Sequence, residues 1–148
     1  MIYSQFDNPF IPNGPLTLGM ECVYYSNDIK KTLLWFNSVL GWLTKIELED
    51  DAQTITYAIA YTVPYQHFST TGDIQPKSKV HILQGEPRQE IVSIIPTTKL
   101  KKLVDSVNKV AEEAITIQQA ENGNLYAQLT TVDGSILTFY QEASYNDL

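Results

Sequence analysis

Hydrophobic and polar residues alternate along this chain in two rhythms, and the same order of rhythms occurs twice. Met20 to Tyr25 (MECVYY) is rich in β-branched and aromatic residues and predicts a strand. Next comes SNDIKKTLLWFNSVLGW, residues 26–42, in which Ile29, Leu33, Phe36 and Leu40 fall at spacings of four, three and four. That spacing places one apolar stripe along a helix of about three turns, with Leu34 and Trp35 widening it. Asn27 or Asp28 is placed to cap its free N–H groups, and Gly41 supplies the left-handed residue that stops it. Trp42–Leu48 and Thr54–Val63 then alternate as strands, with a long polar loop over 64–79 before a further strand at Val80–Leu83.

The second half repeats the pattern. Ile91–Ile95 reads as a strand, and Thr97 or Thr98 opens a helix through about Ala114. Strands at Ile115–Gln119, Tyr126–Thr131 and Ile136–Gln141 follow, separated by the turns ENGN and VDGS. A shift of 71 residues lays the helices on one another: Ile29 on Leu100, Leu33 on Val104, Phe36 on Val107, Leu40 on Ala111, and Lys30 and Lys31 on Lys101 and Lys102. A shift of half the chain with equal element order is the pattern of a duplicated unit. The fold class expected is therefore α+β: two βαβββ modules forming cupped mixed sheets with helices on the outer face. The 148 residues are expected to form a single domain, with module 1 at about 18–86, module 2 at about 89–141 and an extended N-terminal arm at 1–17.

Charge and composition narrow the function classes. The net charge of −7 argues against nucleic acid, whose phosphates need clustered Lys and Arg. The basic pattern from Lys99 to Lys109 reads as a solvated helix face. No stretch is apolar enough to span a membrane, and the N-terminal residues carry no signal-peptide pattern, so a cytoplasmic protein is expected. Cys22 is the single cysteine; its apolar, aromatic neighbours point to a buried and inert thiol. Nine tyrosines against five phenylalanines is the compositional oddity, suiting a pocket wall, an interface or a strand.

The opening stretch resembles the first-module signature of the vicinal oxygen chelate superfamily, which includes glyoxalase I, bleomycin resistance proteins, fosfomycin resistance enzymes and extradiol dioxygenases. Asp28 opens the helix, Trp35-Phe36 supply the aromatic pair, and Leu40-Gly41-Trp42 form the stop. TTVDGSILTFYQ (Thr130–Gln141) is similar to the family's turn before its last strand, so the resemblance spans roughly 18–141. It implies a divalent metal held by His and Glu inside the cup, acting as a Lewis acid. Carried onto this chain, the four ligand positions are Glu21, His81, Val92 and Thr138. Two of these cannot ligate well, and a transition metal normally takes three protein ligands, so Glu21 and His81 are weak metal candidates. A cofactor-free chain is expected, with a divalent metal disfavoured.

Glu21 reads as a lone ligand, a general base or a contact to a cation, or else as a solvated carboxylate at a strand end. His81 reads as a ligand or as a hydrogen-bonded strand histidine, and His67 as a solvated loop residue. The ligand-binding candidates are Glu21, Val23, Tyr25, Tyr57, Tyr61, His81, Tyr126, Gln128, Thr138 and Tyr140. Alternation with Val23 and Tyr25 aims Glu21 into the cup, and Thr138 and Tyr140 look the same way; the Tyr57/Tyr61 and Tyr126/Gln128 faces either line a cavity or pack against the helices or a partner chain. Catalytic residues are not assigned, and the DGS turn (Asp133 to Ser135) reads as a tight turn only. Three functions compete: a metal-free homodimeric binding protein for a polar or cationic, partly aromatic molecule; a metal-dependent lyase, isomerase or dioxygenase using Glu21 and His81; and an interaction module whose cups are filled by its own side chains.

Overall fold

The computed structural model describes residues 20–62 and 78–146. The arm at 1–17, His67 and nearly all of the 64–79 loop lie outside them.

The first module runs β1 (Cys22–Ser26), α1 (Ile29–Leu40), β2 (Leu43–Glu49), β3 (Ile55–Tyr61) and β4 (Lys79–Gln84). The second runs β5 (Ile91–Pro96), α2 (Leu100–Asn108), β6 (Gln118–Gln119), β7 (Leu125–Thr130) and β8 (Ile136–Gln141), closed by a short 3-10 turn at Ala143–Tyr145. Each module folds into a four-stranded sheet, in the orders β1-β4-β3-β2 and β5-β8-β7-β6. The first and last strands of each module pair in parallel and the remaining pairs are antiparallel, so both sheets are mixed. The duplicated α+β architecture expected from the sequence is the one observed.

α1 forms where its stripe predicts. Asp28 accepts a hydrogen bond from the Lys31 N–H, and Gly41 closes the helix at φ 69° with its own N–H returned to the Asn37 carbonyl. Ile29, Leu33 and Phe36 are buried against β3, and Phe36 packs edge-on to both Tyr24 and Trp35. Leu34 departs from the expectation. It lies about 100° around the helix from Leu33 and points to solvent, 64% exposed, whereas Trp35 packs partly against the core.

α2 is shorter than expected, ending at Asn108 instead of near Ala114. The Asn108 amide turns back on the chain, donating to the Ile115 carbonyl at 3.0 Å and accepting from the Ile115 N–H at 2.8 Å, which diverts the backbone out of the helix. Its start is not capped by Thr97 or Thr98. The Leu100 N–H instead donates to the Gln141 side chain, and Lys99 enters the helix in the left-handed conformation. The 71-residue equivalence holds for the buried pairs Ile29/Leu100, Leu33/Val104 and Phe36/Val107. It lapses at Ala111, which lies past the helix. The strand expected at Ile115–Gln119 shrinks to the two-residue edge strand β6.

The modules dock with β1 beside β5 and α1 against α2. The Cys22 thiol hydrogen-bonds the Ser93 side chain at this seam, and burial pushes it above the usual thiol range, which suits an inert role. A buried polar knot completes the joint. Asp133, in the turn before β8, accepts from the Tyr24 hydroxyl at 2.5 Å and from the Thr32 hydroxyl at 2.8 Å. Ser26 and Thr32 share a bond of 2.6 Å, and the Thr131 hydroxyl lies 2.6 Å from that of Tyr24. Asp133 therefore corrects the reading of its segment as a turn only. The turn is tight, with Gly134 at φ 87°, but its carboxylate also ties module 2 to the first strand and helix of module 1.

Candidate functional site

Each sheet buries one face beneath its helix. In module 1 that face carries Tyr24, Ser26, Ala58, Ala60, Val80 and Ile82; in module 2 it carries Ala127, Leu129, Leu137 and Phe139. Alternation sends the intervening residues to the opposite, open face. The ten sequence candidates all lie on these open faces or at their ends.

The register shows how the two halves correspond. His81 lies between Val23 of β1 and Ile59 of β3. In module 2, Thr138 lies between Ile94 of β5 and Gln128 of β7. Thr138 is thus the counterpart of His81, Gln128 of Ile59, Tyr126 of Tyr57, and Tyr140 of Leu83. The counterpart of Glu21 is Val92, where the β5–β8 register slips by one residue and the side chain packs partly against the core.

Three candidates meet in module 1. The His81 Nε2 lies 2.7 Å from Glu21 Oε1, and its Nδ1 lies 2.7 Å from the Tyr57 hydroxyl. The Tyr57 and His81 rings stack, with centroids 5.9 Å apart and planes at 23°. Glu21 stays accessible, its side chain 45% exposed, while that of His81 is 26% exposed. Val23, Leu43 and Leu48 stand exposed on the same sheet. The result is a short acidic-to-phenolic row bordered by apolar residues.

The remaining candidates are differently engaged. The Tyr25 ring is covered by the Arg88 guanidinium, 5.1 Å from its centroid, and lies so close to Gly85 that any side chain there would collide with it. Tyr61 is half-buried opposite Lys79 and Leu43. Tyr126 donates to the Gln118 side chain at 2.7 Å, and Gln128 lies 3.5 Å from the Thr138 hydroxyl. Tyr140 helps to line a cleft of 210 Å³ with Pro96, Thr97, Thr98, Glu142 and Tyr145. Another cleft, of 230 Å³, lies at the start of α1 beside Asp28, Gln53, Thr54 and Gln84. Both clefts are away from the Glu21–His81–Tyr57 row. The row carries the densest chemistry of the open faces.

Among the described residues no three His, Cys, Asp or Glu side chains gather where one ion could join them. Glu21 and His81 are bonded to each other, and their module 2 counterparts, Val92 and Thr138, offer no imidazole, thiolate or carboxylate. This donor set does not fit a transition-metal centre.

The comparisons agree with the fold. Residues 21–85 match the family model of the bleomycin resistance protein domain. Among solved structures, a glyoxalase-related enzyme from Clostridium phytofermentans is 25% identical, covering 88% of this chain and 98% of its own, with a TM-score of 0.76. A bleomycin-binding protein from Streptomyces verticillus, complexed with copper(II)-bleomycin, is 13% identical over 85% of this chain and 97% of its own, with a TM-score of 0.60. A glyoxalase/bleomycin resistance protein from Catenulispora acidiphila is 16% identical over 84% and 98%, with a TM-score of 0.57. None of the curated proteins matches in sequence. Paired modules, strand order and these matches show the glyoxalase/bleomycin resistance fold, and they support a relationship to the vicinal oxygen chelate superfamily.

Proposed function

We propose that the chain is a metal-free small-molecule-binding protein of the glyoxalase/bleomycin resistance fold, and that it takes a polar or cationic, partly aromatic ligand on the open face of its first module. The observation that carries this reading is the row Glu21–His81–Tyr57 beside exposed Val23 and Leu43. A carboxylate and stacked rings offer charge and an aromatic platform to a cation, and the apolar border accepts the rest of the molecule. The net charge of −7 favours approach of the same class of ligand. The Streptomyces neighbour, solved with its bleomycin complex, supports small-molecule binding as a use of this fold.

Module 2 lacks an equivalent row, since Val92, Thr138 and Tyr126 stand in the places of Glu21, His81 and Tyr57. One ligand per chain is therefore expected. A homodimer is the expected assembly, with the ligand held in a cup at the dimer, because Leu48, Ile91 and Ile94 leave apolar surface beyond that border.

The competing reading is a metal-dependent lyase, isomerase or dioxygenase using Glu21 and His81. Elemental analysis of purified protein separates the two. The binding reading expects no stoichiometric Zn, Ni, Mn or Fe. About one metal per chain, lost in Glu21→Ala, would overturn it.

A further inference from the structure

We infer that Tyr57 presents a hydrogen-bond acceptor to whatever occupies the open face of module 1, so that the ligand group seated there is a cation or another N–H or O–H donor, and that Glu21 sets this polarity through His81. The inference rests on the reading of this face as the ligand site and adds the chemical class the site selects.

A carboxylate has lone pairs and no hydrogen, so the bond between Glu21 Oε1 and His81 Nε2 requires the imidazole hydrogen on Nε2. A neutral ring then carries a bare lone pair on Nδ1, and the group 2.7 Å from it is the Tyr57 hydroxyl. A phenol has one hydrogen, and here it is committed to Nδ1. What Tyr57 has left for a ligand is the lone-pair side of its oxygen. Stacking of the two rings holds that oxygen in place, so the polarity belongs to the site and not to a freely turning hydroxyl.

The protein's other charged and phenolic groups around this row are consistent with an external donor filling the position. Just before β1, Glu21 adds negative charge, and on β1 Tyr25 is covered by Arg88. On β2, Lys45 is paired with Glu47 at 3.2 Å. On β3, Tyr61 follows Tyr57 on the same face, and on β4 itself Lys79 lies two residues from His81, opposite Tyr61. In module 2 the equivalent phenol, Tyr126, donates to Gln118 with no histidine behind it. The polarity-setting chain is thus a property of one module.

Two nearly isosteric probes test this: benzamidinium, a donor cation, and benzoate, an acceptor anion. Each is titrated at pH 9, alkaline of the ordinary imidazole range, while backbone amide shifts on β1, β3 and β4 are followed by NMR. Benzamidinium is expected to bind more tightly than benzoate, and Tyr57→Phe to lower that preference roughly tenfold, the worth of one hydrogen bond to a charged group. Long-range charge is the same in both proteins, so the change in ratio isolates the phenol.

His81→Phe, which releases the phenol hydrogen with Tyr57 intact, should lower the ratio similarly and raise benzoate affinity. That rise is what a positioning role for His81 predicts and a merely structural role does not. Glu21→Gln gives a conservative third variant should either aromatic change disturb the fold. A ratio unchanged within twofold in Tyr57→Phe and in His81→Phe overturns the polarity assignment. Failure of both probes to move these amides in the unmodified protein overturns the ligand face itself, and the inference with it.

Discussion

Asp133 receives the Tyr24 and Thr32 hydroxyl hydrogens at the partly buried joint between the modules. Tyr24 is 1% exposed and Thr32 is fully buried, so without the carboxylate each is left with a neutral acceptor, the Thr131 hydroxyl for Tyr24 and the Asp28 carbonyl for Thr32. Asp133→Ala is expected to lower stability by roughly 3 kcal/mol and the melting temperature by roughly 10 °C, measured by calorimetry at pH 7. The same knot imposes a pH dependence. Burial, and then the Asp133 carboxylate, raise the Tyr24 phenol far above its ordinary value of about 10. Above that value the unfolded chain releases a proton that the folded chain keeps. Stability therefore falls as pH rises beyond about 10 and is fully present below it. In Tyr24→Phe this alkaline slope should flatten while stability at pH 7 drops by about 1.5–3 kcal/mol. An unchanged slope between pH 10 and 12 in urea titrations would remove Tyr24 from the account.

Elements show a division between signals carried locally and signals carried across the fold. Everything that defines α1 lies within its own seventeen-residue stretch: the Asp28 cap, the stripe from Ile29 to Phe36 and the Gly41 stop. Gly41 separates conformation from space, because an added Cβ would meet nothing within 4 Å and yet the backbone is left-handed. Gly41→Ala should therefore cost only the conformational strain, about 1 kcal/mol, and Gly41→Asn less. A loss of several kcal/mol in denaturant unfolding would show that packing, not φ, is what the glycine serves. α2 was less legible because both its ends depend on distant groups. Its first N–H is met by Gln141, 41 residues on, and its last turn is diverted by Asn108 bonding to Ile115. Neither partner is visible in a periodicity of apolar residues. Gln141→Leu leaves the Leu100 N–H buried without an acceptor and should cost about 1–3 kcal/mol. Hydrogen exchange should report it first as faster exchange in the opening turn of α2.

At the scale of the whole molecule, the repeat of element order was enough to give two βαβββ modules, because duplication is written in spacing and both halves keep it. Counting back from Asp28 also found Glu21, and the equivalence of Glu21 with Val92 and of His81 with Thr138 follows the paired registers. What spacing could not show is that Glu21 and His81 bond to one another. That depends on the parallel register of β1 on β4, and on Tyr57 arriving from β3 on the other side. The asymmetry between halves makes a stoichiometric prediction. Calorimetric titration with benzamidinium should give one site per chain, and a value of two would mean that module 2 binds independently. Sedimentation at tens of micromolar should show a dimer, and a monomer would count against apolar closure of the open faces by a second copy.

The turn at Asp133 also bears on how such a chain can be cut. It reaches from just before β8 back to β1 and α1, so the first module carries hydroxyls whose acceptor belongs to the second. Separated into fragments at the 85–90 connection, the first half should be unable to hold native structure alone. The second half supplied in trans should restore it, with Asp133→Ala in that half abolishing the rescue. A chain built this way has a first module that is complete only when the β7–β8 hairpin of the second is in place.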